Sequence, residues 1–412
     1  MPKQLTITYI ANIRLPTEKA HGIQIMKTCE ALVSQGTDVE LVVPKRHNTI
    51  KEDPFDFYGG ERNFTIKRLW SLDAIWWSMP AFLKKIAFWK QSAAFAFNAW
   101  RYIKKSNPSP FRRGQGEVLI EAKAETPSPP PPIRGRTGDL VLYTRDLFLA
   151  LILPKENLFY EVHWLPEKVP WYHKRAYKRA KGLIVISDGI KNDLLKLGIS
   201  ETKICVARDA VERKQFQLNI TKEGARKKIG LPTGQKIVVY TGHLYDWKGA
   251  NVLAEAVRLL SADIQVYLVG GIDEDVKRFK AVYQLPNLHI VGWRKHEEMP
   301  LWLRAADTLV LPNSAKSRIG AQDTSPLKLF EYMMAGRPIV AADLPAIREV
   351  LTEDMAELVK PDDPARLALG IKAALERKEL SANRVAVAQE KVRDCTWDKR
   401  AKQIIDFIFV VK

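Results

Sequence analysis

The chain has 412 residues but only three cysteines, Cys29, Cys205 and Cys395, each isolated. Thiols this far apart supply neither a disulfide framework nor a thiolate metal cluster. Long apolar runs are also missing. The longest plain one, Leu147–Leu153, falls far short of the roughly 20 residues that span a bilayer. The opening segment MPKQLTITYIANIR has no uninterrupted apolar core, so no secretory signal is expected. No His, Asp and Glu ligand set stands out, and neither a metal nor another cofactor is expected. These absences together point to a cytosolic protein.

Positive charge, by contrast, is in excess, with a formal net charge of +18. Much of it sits between Arg62 and Lys105, where nine basic residues stand against one acid, Asp73. The same stretch holds five of the eleven tryptophans, Trp70, Trp76, Trp77, Trp89 and Trp100. Cations mixed with Trp and Phe suit an anionic membrane surface, where rings settle among headgroups and cations meet lipid phosphate. A helix over Ala81–Lys105 puts Phe82, Ile86, Trp89, Ala93, Phe97 and Trp100 on one stripe, and Phe88 and Phe95 on another side. That is more apolar surface than one core contact needs. Packing inside the domain with solvated lysines is the plainer alternative. Nucleic acid is not an expected partner, because no RNA- or DNA-binding motif accompanies the charge.

At this length two domains are the natural expectation. Both halves alternate short β-rich runs with helical ones. LTITYIAN, DVELVVP, DLVLYTR, NLFYEVH, GLIVISDG and KICVARDAV read as strands in the first half. KIVVYTG, IQVYLVGG, LHIVGW, DTLVLPN and RPIVAAD read as strands in the second. Strands apolar on both faces belong in parallel sheets covered by helices. The expected fold is therefore α/β, two tandem Rossmann-like doubly wound domains facing an interdomain cleft, with the joint near Glu212–Gln235. Ligands of such sheets bind at the carboxyl ends of the strands. Asn107–Gly138 breaks the pattern: rich in Pro, Gly, Ser and Arg, it is expected to be a disordered insertion. A proline-dependent docking motif there would need a partner.

The stretch QDTSPLKLFEYMMAGRPIV places two acids, Asp323 and Glu331, eight residues apart around a helix start. Ser325 can cap that helix, Pro326 tolerates a missing N–H in its first turn, and Gly336 ends it. The free N–H groups of Leu327 and Lys328 then form an anion seat facing the cleft, suited to a diphosphate. Asp323, in the loop, can lean over the sugar end of a ligand while Glu331 reaches the other end. A surface Asp and a helix Glu paired with a cation fit the spacing equally well.

The segment SPLKLFEYMMAGRPIVAADLPAIREVL resembles the signature of retaining GT-B glycosyltransferases of family 4, also called group 1. YTGHLYDWKGANVLAEAV, HEEMPLWLRAADTLVLP and YEVHWLP support the resemblance, which covers nearly the whole chain outside the proline-rich insertion. It implies an N-terminal acceptor-side domain over residues 1–215, a nucleotide-sugar-binding domain over 216–395, and a final helix, 396–412, returning to the first. The family's paired acids are usually both Glu, so Asp323 is a shorter departure. By similarity Glu331 would hold the ribose, Asp323 would contact hydroxyls of the transferred sugar, and Lys248 would meet the diphosphate. A lone Lys in a turn is otherwise solvated. Where the family pairs that Lys with an Arg after a glycine, here Gly242, this sequence has His243. His163, at the end of NLFYEVH, matches a His that contacts the donor sugar, although a lone His is more often structural. Gly22 falls in a loop brought close to both substrates, and Trp293 where the base is held; a plain helix start and a core Trp are the alternatives.

The resulting expectation is a metal-independent retaining hexosyltransferase. Its donor would be a nucleotide diphosphate sugar, its acceptor a glycan or glycolipid, and its place the inner face of the membrane. A nucleotide-sugar epimerase or phosphorylase on the same fold, or an inactive basic membrane-surface protein, are the alternatives.

Overall fold

The computed structural model describes residues 5–74, 80–106 and 139–411. The proline-rich segment, Trp76 and Trp77 lie outside the described residues. In the first half, β1 (Leu5–Ile10), β2 (Asp38–Lys45), β3 (Thr65–Trp70), β4 (Asp139–Thr144), β5 (Leu158–Val162), β6 (Gly182–Val185) and β7 (Ile204–Val206) form one sheet. Its order is β3-β2-β1-β4-β5-β6-β7, and every ladder is parallel. The second half supplies β8 (Lys236–Thr241), β9 (Ile264–Val269), β10 (Leu288–Gly292), β11 (Thr308–Leu311), β12 (Ile339–Ala342) and β13 (Glu357–Val359). Their order is β10-β9-β8-β11-β12-β13, again parallel throughout.

Each sheet thus reverses direction beside its first strand, at β1/β4 and at β8/β11, and such switch points open crevices for ligands. β1, β9, β11 and β12 are buried along their whole length, as a helix layer on both faces requires. Eleven strands fall where the sequence reading expects them. The two others are edges. β3 carries Lys67 and Arg68 and leaves Trp70 66% exposed, and β13 has only three residues.

The basic aromatic segment does form a helix, Ala81–Ser106. Its core side is Phe95, Ala96, Ala99 and Ile103. The stripe of Phe82, Ile86, Trp89 and Phe97 is exposed instead, with Phe82 at 66% and Phe97 at 52%. Arg101 and Lys104 lie over the rings of Phe97 and Trp100.

The core divides between Ala210, packed in the first domain, and Val211, packed in the second. This is a few residues before the joint expected from composition. The chain crosses back at Cys395–Trp397, where Val211 and Thr396 form a bridge and Val211 N donates to Cys395 O at 3.0 Å. The helix Trp397–Val411 then docks on the first domain through Trp397, Ala401, Ile404 and Ile408. Its Arg400 is buried and reaches Glu161 Oε1 at 2.5 Å. Glu161 is fully buried on β5 and also accepts from Gln24 Nε2 at 2.7 Å and from the hydroxyls of Tyr143 and Tyr9. Arg400 holds the Glu161 carboxyl well below its usual range against the opposing effect of burial.

Removing one member of a buried pair strands the other charge, at a cost of about 3–5 kcal/mol. Arg400→Met should lower stability by that order in urea denaturation, and adding Glu161→Gln should recover most of the loss. An unchanged midpoint for Arg400→Met would show that the C-terminal helix is held by packing alone.

Candidate active site

A cavity of about 430 Å³ lies between the domains. Its wall is built from loops at the carboxyl ends of strands in both sheets: Arg145 after β4, His163 after β5, Gly242 and His243 after β8, Trp293 after β10 and Asn313 after β11.

Two lysines from the second domain meet at Gly242. A Cβ built there would lie 3.7 Å from Lys248 Nζ and 3.8 Å from Lys328 Nζ. With φ at +125°, the position favours glycine on backbone grounds as well. Lys328 Nζ is buried without a hydrogen-bond partner, 3.9 Å from the centroid of the Tyr240 ring. Burial and the charge of Lys248 hold the Lys328 ammonium well below its usual pKa. Burial likewise brings Lys248 down to about 8, with Glu331 partly opposing. Two desolvated cations without a bridging acid form a seat for an anion of high charge.

The helix Leu327–Ala335 begins at this seat, with Pro326 at its cap, so the first N–H groups have no intrahelical acceptor. Ser325 does not cap it. Its Oγ accepts the Asp209 N–H at 3.0 Å, tying the helix entry to the crossing segment of the chain. Ser325, Leu327 and Lys328 all line the cavity. From the sequence, only the backbone N–H of Lys328 is expected in the seat. A lysine in the first turn opposes the helix dipole, and that conflict is the sign by which its side chain could have been found.

Glu331 also lines the cavity, with Oε1 2.9 Å from His296 Nε2. The Gln215 amide nitrogen approaches both His296 Nδ1 (3.2 Å) and His296 O (3.4 Å). An amide that donates to both leaves Nδ1 as the acceptor, so the proton sits on Nε2 and points at Glu331. His296 therefore positions Glu331; it was missed because HEEMPLWLRAA reads simply as a helix.

Asp323 is a correction. It does not line the cavity. Its carboxylate is fully buried at the seam between the domains, where Oδ2 accepts from Leu165 N at 3.2 Å and from Arg318 Nε at 3.0 Å. Arg318 in turn pairs with Asp193 of the first domain. The cavity is thus lined by Glu331 and not by Asp323. Gly22 is a second correction. A Cβ there would lie 2.0 Å from the Tyr58 hydroxyl, so the close approach it permits is to Tyr58. That hydroxyl pins the neighbouring loop through Thr17 N and Thr17 O, both at 2.7 Å.

The three remaining expected residues reach the cavity. His163 Nε2 lies 3.1 Å from Glu161 Oε1, and burial together with Arg145 brings its pKa down to about 4. His243 stacks on Tyr245 with centroids 4.9 Å apart; burial and the nearby lysines bring it down to about 4. His243 is thus neutral at pH 7, and the second cation beside Lys248 is Lys328. Trp293 stacks on Phe57 of the first domain at 6.0 Å while lining the cavity. Arg145, Lys19, His21, Asn313 and Asp209 line it too and were not expected. Burial pushes the Asp209 carboxyl up to about 7. Among the described residues no group of three His, Cys, Asp or Glu is placed to hold a metal ion.

Residues 235–377, most of the second domain, match the family model described as glycosyl transferases group 1. The chain is 30% identical over 242 residues to a phosphatidyl-myo-inositol mannosyltransferase of Mycobacterium leprae, covering 57% of this chain and 59% of that protein. It spans 45–59% of the length of the mannosyltransferases it matches. Among solved structures it is similar to Anabaena HepE in complex with UDP and glucose, at 14% identity and a TM-score of 0.69, over 97% of this chain and 98% of that one. It is also similar to sucrose-phosphate synthase from Thermosynechococcus elongatus, at 17% identity and a TM-score of 0.71, over 98% of both chains. The resemblance to group 1 and the GT-B architecture of two Rossmann-like domains both hold.

An ammonium held against burial weakens the empty protein. Lys248→Met should stabilise the ligand-free protein by about 1–3 kcal/mol at pH 7, read as a higher thermal midpoint. An equal or lower midpoint would mean that Lys248 carries no such penalty.

Proposed function

We propose that the protein is a retaining glycosyltransferase that moves a hexose from a nucleotide diphosphate sugar to a glycan or glycolipid acceptor at the inner membrane face. The observation that carries this reading is the buried, unpartnered Lys328 ammonium at a helix start, with Lys248 beside it and an imidazole-held Glu331 one turn along the same helix, all lining one interdomain cleft. The match of the second domain to group 1 glycosyl transferases supports it, as does the likeness to a protein that binds UDP and glucose.

In this reading the diphosphate lies on Lys248, Lys328 and the N–H groups of Leu327 and Lys328. Negative charge grows on it as the bond to the sugar breaks, and cations fixed in advance stabilise that charge without reorganising. The chain thus supplies by two ammonium groups the neutralisation that a metal ion would otherwise provide. Glu331, aimed by His296, accepts from the ribose hydroxyls, and Trp293 offers a flat apolar face for the base. Neutral His163, at the opposite wall, has its Nε2 beside Glu161 and offers the lone pair of Nδ1 to the sugar. No side chain acts as nucleophile; the acceptor hydroxyl attacks from the face the diphosphate leaves, and its proton passes to the departing phosphate oxygen as the sugar–diphosphate bond breaks. The exposed aromatic stripe of Ala81–Ser106, flanked by Lys and Arg, supports membrane contact. No helix among the described residues is long and apolar enough to cross a membrane.

Glu331→Ala should weaken binding of UDP or GDP about tenfold or more by calorimetry, the scale of a lost charge-assisted hydrogen bond. Unchanged affinity would remove Glu331 from the donor site. Lys248 is partly neutral above about pH 8 in the empty cleft, and a bound diphosphate would raise its pKa. Binding should therefore take up a proton between about pH 7 and 9, with affinity falling as pH rises through that range. Calorimetry in buffers of different ionisation enthalpy measures the uptake, and its absence would take Lys248 out of the seat.

A further inference from the structure

A second cavity, of about 300 Å³, lies along the line where the chain crosses twice between the domains. Its size is at the lower end for small-molecule sites. Asp209 and Ala210 from the first crossing wall it, together with Cys395 and Thr396 from the second and Phe330 of the signature helix. Asp209 lines the active cleft as well, and Phe330 stands next to Glu331 on the helix that carries the anion seat. Asp209 and that helix are thus common to both cavities.

Two residues of this second cavity hold a buried polar atom without a hydrogen-bond partner, Asp209 at Oδ1 and Arg400 at Nε. Asp209 is 7% exposed and Arg400 4%. Atoms of this kind give up hydration on folding with nothing in return. Arg400 spends its other nitrogens on Glu161 and Thr28, so its charge is already matched and Nε is left as a plain donor. Burial holds the Asp209 carboxyl up although Arg400 draws it down. A free donor and a free acceptor in one cavity suit a hydroxyl, which accepts and donates at once. The exposed margin differs. Arg208 pairs there with Asp188 and Glu349, and Lys399 pairs with Asp394. Lys391, exposed in the last turn of the helix Lys378–Val392, also lines the cavity. It is in no ion pair among the described residues, and its charge reaches Asp394 only at longer range. The interior therefore calls for hydroxyls and the margin for one negative charge.

The geometry points to a second ligand site on the interdomain spine, for a small polyol carrying one anionic group, a sugar phosphate. Its hydroxyls meet Asp209 and Arg400 Nε, and its phosphate meets Lys391. Such an occupant touches both domains beside the crossings and so favours one angle between them. Through Asp209 and the shared helix its binding is coupled to that of the cleft. The site goes beyond the transferase reading and stands without it.

Cys395 reports occupancy, because it lines this cavity and is the one cysteine that is not buried. Glucose 6-phosphate and ribose 5-phosphate, each at about ten times its Kd, should slow alkylation of Cys395 by N-ethylmaleimide about tenfold, read by peptide mass spectrometry on the full chain. Glucose and inorganic phosphate, each lacking one half of the ligand, should bind at least about tenfold more weakly. Lys391→Gln should weaken glucose 6-phosphate about tenfold and Lys391→Arg should keep most of its affinity. Both variants should keep the thermal midpoint of the empty protein, which shows that they fold. Saturating UDP should change the affinity for glucose 6-phosphate by at least about threefold. No protection of Cys395 by either sugar phosphate at millimolar concentration would leave the cavity to water and overturn the site. Protection by inorganic phosphate as strong as that by glucose 6-phosphate, or indifference to Lys391→Gln, would overturn the assigned chemistry. Equal affinity with and without UDP would overturn the coupling.

Discussion

A buried ammonium, Lys328, beside the half-buried Lys248, with no acid in ion-pair contact with either, sets the terms for the second domain. Such a pair opposes folding, so the backbone that carries it must be held by other means. Gly249 is one of them: at φ +70°, a Cβ on it would fall 1.7 Å from Pro312 O, so the loop bearing Lys248 lies directly against the end of β11. The helix bearing Lys328 is tied to the end of β8 by the Tyr332 hydroxyl, which accepts from Thr241 N at 2.7 Å. Loop, strand and helix are thereby fixed to one another around the switch point, and the cost of the paired charges is spread over a rigid frame.

The first domain meets that frame along a polar seam. Glu349 accepts the N–H groups of Asp188 and Gly189 at 2.9 and 3.0 Å, at the start of the helix Asp188–Lys196. Arg208, in the crossing segment, pairs with both Asp188 and Glu349. Ser187 Oγ donates to Gln322 O, one residue before Asp323. Here a carboxylate in the loop before the signature helix serves domain contact, while the carboxylate inside the helix serves the cavity. The same spacing motif divides its labour between architecture and site.

The parallel sheets, the helix after Asp323 and the cleft were legible because each rests on local pattern: apolar strands, a Gly-closed helix, a loop at a strand end. Glu331 stood out for the same reason, whereas Lys248 and His163 were expected only through the resemblance to group 1. What escaped depends on side-chain direction. Asp323 turns away because Arg318 and the Leu165 N–H, 158 residues distant in sequence, claim it. Gly22 is required by Tyr58, which arrives from another helix. His296 and Arg145 matter only through partners that folding brings to them, and β3 hid behind its cations because an edge strand need not be apolar on both faces.

The two chain crossings lie side by side, with Val211 bridged to Thr396 at the β7 edge of the first sheet. Two bodies joined along one such line keep an easy rotation about it and resist the others. At the far edge, beyond β2 and β10, the domains touch through the stacked Phe57 and Trp293 and through a solvent-exposed Lys295–Glu52 pair at 3.1 Å. Exposed pairs of that kind are screened by salt and worth little. Leverage runs outward from the spine at residues 207–211 and 395–397, so the weakest ties sit where the travel is greatest, and ionic strength acts first on the aperture.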